Sequence, residues 1–407
     1  MKSSDLSPAI SSGNGRVILW RCVLALALVQ GAITLSWVIY KAYLPKLLGQ
    51  FGFPAAFAAT ILLIENILAV GMEPFFGGMS DRGKRFMGTG FPLISLGVIL
   101  SSALFILIPC FVIFLPPNVI WKYLLPAFLI LWSLAMTMFR SPVIALLGQY
   151  AAVPALPQAA SFLMVAGGLI AAFAPVSQQF LLSLGPVVTF GAGSIVLLLA
   201  VLVLRSLHPP LSAPQTSLSV ASPFPLPAFG LIFLTGIFVS LAITFAMSTL
   251  PKLLRTNISL QLDVKSTMFV IAILIALAAL PAGWLATRLG SRRGILTGMV
   301  VAACALLLWL IPAAGILGLV GMIAGLSLVN VGVFPFALGL MPASRAGLAI
   351  GGYFGGVGAG ASLLPVVFGP VDKIPAVGGA MLGVLMFVLA GACVVLSGNV
   401  QASRNNF

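Results

Sequence analysis

Apolar residues run almost end to end through this chain, in stretches of about twenty or more broken by short polar segments. No stretch alternates with the period of two that marks a half-buried strand. Runs of this length lying in lipid must satisfy their backbone groups internally, so each predicts a helix. The pattern gives spans at 18–45, 54–80, 87–114, 120–148, 158–183, 186–206, 225–250, 266–289, 294–312, 314–340, 345–370 and 375–397. Residues 207–224 are rich in Pro, Ser and Thr and read as a linker. The organisation expected is a polar tail (1–16), a six-helix bundle (17–206), the linker, a second six-helix bundle (225–398) and a short tail (399–407). The first span is too long, and lacks the flanks, for a cleaved signal peptide.

Composition agrees with a membrane location: 61% of residues are hydrophobic, 6% are charged, and mean hydropathy is +1.21. The net charge of +14 raises the question of nucleic acid, but its distribution answers differently. Arg82, Lys84 and Arg85 follow span two, and Arg288, Arg292 and Arg293 follow span eight, on the side that also carries the termini. An excess of basic residues marks the cytoplasmic side. Both termini and the linker are therefore expected in the cytoplasm, the membrane is expected to be the plasma membrane, and the basic clusters can touch anionic lipid. Cys22, Cys110, Cys304 and Cys393 stand singly and read as small core residues, and His208 reads as a solvated or interfacial side chain. Neither a metal cluster, a phosphate-binding loop nor a nucleophile with its base is present, so no cofactor, metal or catalytic group is expected.

The chain also repeats itself. Leu44-Pro45-Lys46-Leu47-Leu48 recurs as Leu250-Pro251-Lys252-Leu253-Leu254, 206 positions later, about half the length. Gly77-x-x-x-Asp81-Arg82 and Gly283-x-x-x-Thr287-Arg288 share that register. Two landmarks in one register indicate two related halves. Each Leu-Pro-Lys-Leu-Leu ends the first helix of its half, with proline stopping the helix and lysine at the outer surface.

Gly77-Gly78-Met79-Ser80-Asp81-Arg82-Gly83-Lys84-Arg85 ends span two and forms the turn to span three. Asp81 suits an N-cap or a helix N-terminus, and the glycines allow close helix approach. Here the chain resembles the major facilitator superfamily, whose hallmark at this place is Gly-x-x-x-Asp-Arg-x-Gly-Arg-Arg. Gly83 follows Arg82 directly, so the turn reads as one residue shorter; Gly77, Asp81 and Arg82 match. The second copy keeps Gly283 and Arg288 but has Thr287 in place of the aspartate. The resemblance implies an all-α fold of twelve transmembrane helices in two pseudo-symmetric six-helix bundles that rock about a central cavity. It further implies that Gly77, Asp81, Arg82, Gly283 and Arg288 form a gating motif that holds the outward-facing state. Arg140-Ser141-Pro142-x-x-Ala145-Leu146 in span four and Glu73-Pro74 before the turn are most similar to the sucrose and glycoside cation-symporter branch. That branch has an acidic residue shortly after Ala-Leu, where Gln149 is found here.

Charge within a bilayer costs several kcal/mol unless paired or hydrated, so the few ionisable residues inside spans are informative. Glu65 lies near the middle of span two, and its carboxyl in an apolar setting makes it the proton-coupling candidate. Glu73, two turns further along, and Arg140 in span four lie at similar depth and are expected either to form a fixed ion pair or to face the cavity. Gln30, Thr34, Trp37 and Lys41 follow helical spacing in span one and, with Tyr40, are the substrate-binding candidates. The competing reading is an aromatic belt of Trp37, Tyr40 and Tyr43 at the outer interface with Lys41 snorkelling to it. In span eleven, Gly347, Gly351 and Gly355 form one small-residue face and Gly352, Gly356 and Gly360 another, suited to packing against the Gly77-Gly78 end of span two.

The function expected is secondary transport of a small solute by alternating access, with proton-coupled sugar or glycoside symport as the refinement. A proton-driven exporter of an amphipathic compound is the transport alternative. A non-transporting membrane receptor or assembly factor, as in pigment delivery, is the alternative from another class.

Overall fold

In the computed structural model, which describes residues 18–114, 119–209, 224–257, 263–311 and 314–405, twelve helices are long and apolar enough to cross a membrane. They are α1 (Trp20–Gln50), α2 (Phe57–Met87), α3 (Phe91–Phe114), α4 (Ile120–Tyr150), α5 (Val153–Ser183), α6 (Pro186–Leu207), α7 (Leu226–Leu254), α8 (Val264–Leu289), α9 (Ser291–Leu308), α10 (Gly315–Leu340), α11 (Ala343–Phe368) and α12 (Ala376–Val400). Each coincides with one apolar stretch of the sequence. The only β pairing among the described residues is an isolated bridge between Ile18 and Ala151.

The duplication seen in sequence is a duplication of packing. Helix α1 packs on α5 and α6 as α7 packs on α11 and α12; α3 packs on α4 and α6 as α9 packs on α10 and α12; α2 packs on α4 as α8 packs on α10. The halves meet through a matched pair of seams, α2 on α11 and α8 on α5. Contacts at one end identify the side that carries the chain's termini: Ile18 pairs with Ala151, Tyr150 with His208, and Arg292 with the carbonyls of Val394 and Val395.

Several local expectations change. Proline does not stop the first helix of either half: α1 runs five residues past Pro45 to Gln50, and the α7 helix continues past Pro251 to Asn257. The flanking Leu44, Leu47, Leu48, Leu250 and Leu253 are all buried, and their packing outweighs the one backbone bond that proline cannot make. The turn after α2 is not at Gly83. The helix continues through Lys84 and Arg85 to Met87 and ends at Gly88, whose φ of 72° is the left-handed conformation glycine adopts without a Cβ penalty. The basic cluster is thus the last turn of a helix, where cations oppose the negative end of the dipole. The last helix continues to Asn405, through residues 399–405 of the segment expected as a tail. Cys22 and Cys393 are buried, Cys110 is half-buried, and Cys304 is exposed rather than in the core.

His208 is not a freely solvated side chain. Its Nδ1 lies 2.7 Å from the Tyr150 hydroxyl and its ring 4.6 Å from that of Phe91. Burial, and then the charge of Lys84, hold its pKa below the ordinary value of 6.5.

Candidate functional site

A cavity of about 420 Å³ opens between the halves. Helix α1 supplies Gln30, Thr34, Trp37 and Lys41; α2 supplies Leu62, Glu65, Asn66 and Ala69; α4 supplies Ser133, Thr137 and Arg140; α11 supplies Phe354, Val357, Gly358 and Ala361. The four α1 residues share a wall because 30, 34, 37 and 41 follow the helical repeat. Ser133, Thr137 and Arg140 do the same on α4, where helical spacing joins Ser133 and Thr137 to the arginine.

Tyr40 does not line the cavity. It is fully buried, its ring 4.4 Å from that of Trp132, which in turn stacks on Phe105 at 4.9 Å. This aromatic packing aims the phenol at α2, where its hydroxyl donates to Glu65 Oε1. The belt reading fails for Tyr40 and for the equally buried Tyr43, whose hydroxyl donates to the Leu181 carbonyl at 2.5 Å. Lys41 is exposed at the cavity wall, 5.9 Å from the Trp37 ring and within electrostatic reach of Glu65. Gln30 Oε1, Trp37 Nε1 and Glu65 Oε2 are buried and take no protein partner among the described residues. Buried polar atoms of this kind mark places where a solute or water can bind.

Glu73 is wholly buried and forms an ion pair with Arg140. Its other oxygen accepts from Ser141, the residue next to the arginine, so α4 provides both partners. The Arg140 guanidinium also stacks on Phe354 of α11, 4.2 Å from the ring centroid. That contact bridges the two halves at the cavity wall. Nothing in the sequence flagged Phe354, which stands among the α11 glycines.

On the termini side the halves are closed. Asp81 accepts hydrogen bonds from the backbone of Gly347 (2.9 Å) and Leu348 (2.8 Å), the first turn of the helix Ala346–Leu363. It is therefore a helix-terminal anion for the opposite half. A Cβ on Gly347 would meet the Gly77 carbonyl, one on Gly351 the carbonyl of Glu73, one on Gly355 the carbonyl of Val70, and one on Gly358 the carbonyl of Asn66. This face of α11 lies backbone against backbone on α2. The second face, Gly352, Gly356 and Gly360, rests on Phe229, Phe233 and Ile237 of α7 instead. In the other copy of the motif, Gly283 rests on Ser161 and Pro157 of α5, Arg288 stacks 3.6 Å over Trp284, and Thr287 donates to the carbonyl of Gly283 in its own helix. The aspartate bridge thus has no counterpart there. Arg82 is exposed at the same end.

Next to this cavity, chambers of about 270 Å³ and about 420 Å³ share Thr34 with it. The smaller lies between α1, α5, α8 and α10 and is lined mainly by apolar side chains, with Gln30 and Asn330 among the polar ones. The larger follows α1 and α5 from Trp37 and Lys41 to Gln178.

Two related six-helix halves around a polar cavity, closed at one end by a carboxylate on a helix terminus, define a membrane transport protein. The sequence profile of the Major Facilitator Superfamily matches residues 26–365, and the chain belongs to that family. Sequence comparison with curated proteins finds no significant match. Among solved structures, the chain is similar to the human organic anion transporter MFSD10 (TETRAN) at 16% identity, covering 92% of this chain and 99% of that one, TM-score 0.64. It is similar to a bacterial homologue of the iron transporter ferroportin in an outward-facing state, at 17% identity, 93% and 99% coverage and TM-score 0.65. It is also similar to the transporter FucP in the outward conformation, at 13% identity, 92% and 98% coverage and TM-score 0.64. At these identities the likeness shows the fold. The protein is a multi-pass integral membrane protein of a transporter family, and its substrate is a small molecule.

Proposed function

We propose that the chain is a proton-coupled secondary transporter that works by alternating access, with its termini in the cytoplasm of a cell whose plasma membrane it spans. The observation that carries this reading is Glu65: one carboxyl oxygen is held by Tyr40, the other is buried without a partner at the wall of a polar cavity, and Lys41 stands opposite. Such a carboxyl can take up and release a proton as the cavity exchanges between the two sides. The termini-side seam, closed by Asp81 and the α11 glycines, supports reading this conformation as the outward-facing one in that orientation. A cavity lined by Gln30, Lys41, Glu65 and Arg140 supports transport over a non-transporting receptor or assembly factor. Glycosides and other molecules with a polar and an apolar end suit a polar cavity joined to an apolar chamber, and so does an exporter of amphipathic compounds.

The test is proton movement in liposomes. Purified protein is reconstituted with an internal pH dye and given a panel of sugars, glycosides and organic anions. A solute that drives proton movement through the wild type identifies a coupled substrate. Glu65→Gln then abolishes its accumulation against a gradient while leaving solute exchange intact. Unchanged accumulation removes Glu65 from the mechanism.

A further inference from the structure

The charges around the cavity balance unevenly. Arg140 is matched by Glu73 and covered by Phe354, so its charge already has a partner inside the protein. Among the described residues no carboxylate lies within ion-pair distance of Lys41; the field of Glu65 attracts it and that of Arg140 repels it. The titratable groups around Glu65 are Tyr40 and Lys41 from α1, Arg140 from α4, and the partner of that arginine, Glu73, two turns along α2 itself; α11 contributes Phe354, Val357, Gly358 and Ala361, none of them titratable. When a proton neutralises Glu65, Lys41 is left at the cavity wall as a cation whose nearest balancing charge is gone, a state that a bound anion relieves. The proton and the anion therefore favour one another, and together they carry no net charge.

The apolar chamber adds the second half of the recognition. It begins at Gln30 and Thr34, which also line the charged cavity, and continues between Leu163 and Met164 of α5 and Ala272, Ile275 and Ala276 of α8. A ligand anchored at Lys41 and passing Thr34 places its far end against hydrocarbon.

We propose that the solute is an amphiphilic monoanion, bound with its acidic head at Lys41 and its apolar part in the chamber between α5 and α8, and loaded together with a proton on Glu65. This rests on the transport reading above and adds the substrate class. The head group can be a carboxylate or a sulfonate, since Lys41 recognises charge and not shape.

Binding by purified full-length protein in lipid nanodiscs tests it, separately from transport. The probes are hexanesulfonate, which stays charged at all relevant pH, hexyl glucoside as its neutral counterpart, hexylammonium as its cationic one, and ethanesulfonate as a head without a tail. The expected order is hexanesulfonate first, at least about tenfold tighter than either six-carbon rival, with Lys41→Gln weakening it about tenfold or more and Lys41→Arg restoring it. Wild-type affinity for hexanesulfonate falls as pH rises, whereas Glu65→Gln holds the high affinity at every pH. Ala272→Phe, which fills the chamber, weakens hexanesulfonate and leaves ethanesulfonate unchanged. Each variant is compared with wild type for its thermal unfolding midpoint, so that a misfolded protein is not scored. Hexyl glucoside binding as tightly as hexanesulfonate, equal affinity of wild type and Lys41→Gln, or no binding of any probe overturns the assignment. If proton-coupled flux of some other solute persists in liposomes, the transport reading survives that outcome; if flux is also absent from the whole panel, both fall.

Discussion

Replacing Asp81 by asparagine is the sharpest perturbation of the closed seam. The carboxylate accepts two backbone hydrogen bonds, from Gly347 and Leu348, at the N-terminus of a helix in the opposite half. Hydrogen bonds to a charged group contribute about 1.5–3 kcal/mol each. An anion at a helix N-terminus adds about 0.3–1 kcal/mol, and up to about 2 kcal/mol when partly buried. Asparagine keeps one acceptor oxygen, so it retains one bond in a weaker neutral form and loses the other bond and the charge. We expect the closed termini side to lose about 2–3 kcal/mol, a change of roughly 30- to 150-fold in the equilibrium between closed and open forms. The assay is a distance distribution between spin labels at positions 85 and 293, both exposed on the termini side and in opposite halves, in a background lacking the native cysteines. Wild type should populate the short distance and Asp81→Asn should move much of the population to a longer one. Identical distributions refute the argument, and would mean that the glycine contacts alone hold the seam.

The two glycine faces of α11 make a contrasting pair. A Cβ at Gly351 meets the backbone of Glu73 and Pro74 in the other half, so Gly351→Ala should lengthen the same label distance; a Cβ at Gly356 meets Phe233 and Gly236 within its own half, so Gly356→Ala should lower the unfolding midpoint instead. Each carries an overpacking cost of about 1–3 kcal/mol, and the idea fails if both variants give the same readout. His208, the only histidine in the chain, gives a single imidazole signal whose titration midpoint by NMR should lie below 6.5. Because the neutral ring is the form that folding favours, its contribution to stability is intact above about pH 6.5 and is lost as pH falls through the folded midpoint. A midpoint at or above 6.5 contradicts the burial argument.

Much of the architecture is written in the sequence because lipid leaves so few choices. An apolar run of sufficient length has to be a helix, and the twelve spans follow from that one constraint. Depth along a helix is also legible, since rise per residue is fixed, and the sequence accordingly places Glu73 and Arg140 at the level where they pair. Direction around the helix is less so. Whether Tyr40 faces lipid, cavity or a neighbouring helix depends on Trp132 and Phe105, far away in sequence, and on the carboxylate that accepts its hydrogen bond. The continuation of α1 through Pro45 escaped for a similar reason: the local penalty of proline is visible in sequence, while the burial of Leu44, Leu47 and Leu48 that overrides it is tertiary. Phe354 carried no signal at all, because an aromatic residue in an apolar span is ordinary until a guanidinium is found above it.

The arrangement of Arg140 limits what separation of the two halves can cost. Its countercharge and the serine that steadies that countercharge belong to its own half, while only the ring of Phe354 belongs to the other. Parting the halves there strips away a contact of about 0.5–2 kcal/mol and leaves the ion pair whole. In the alternating-access scheme proposed above, the guanidinium then keeps its countercharge throughout, and the membrane's heaviest electrostatic penalty stays out of the conformational barrier.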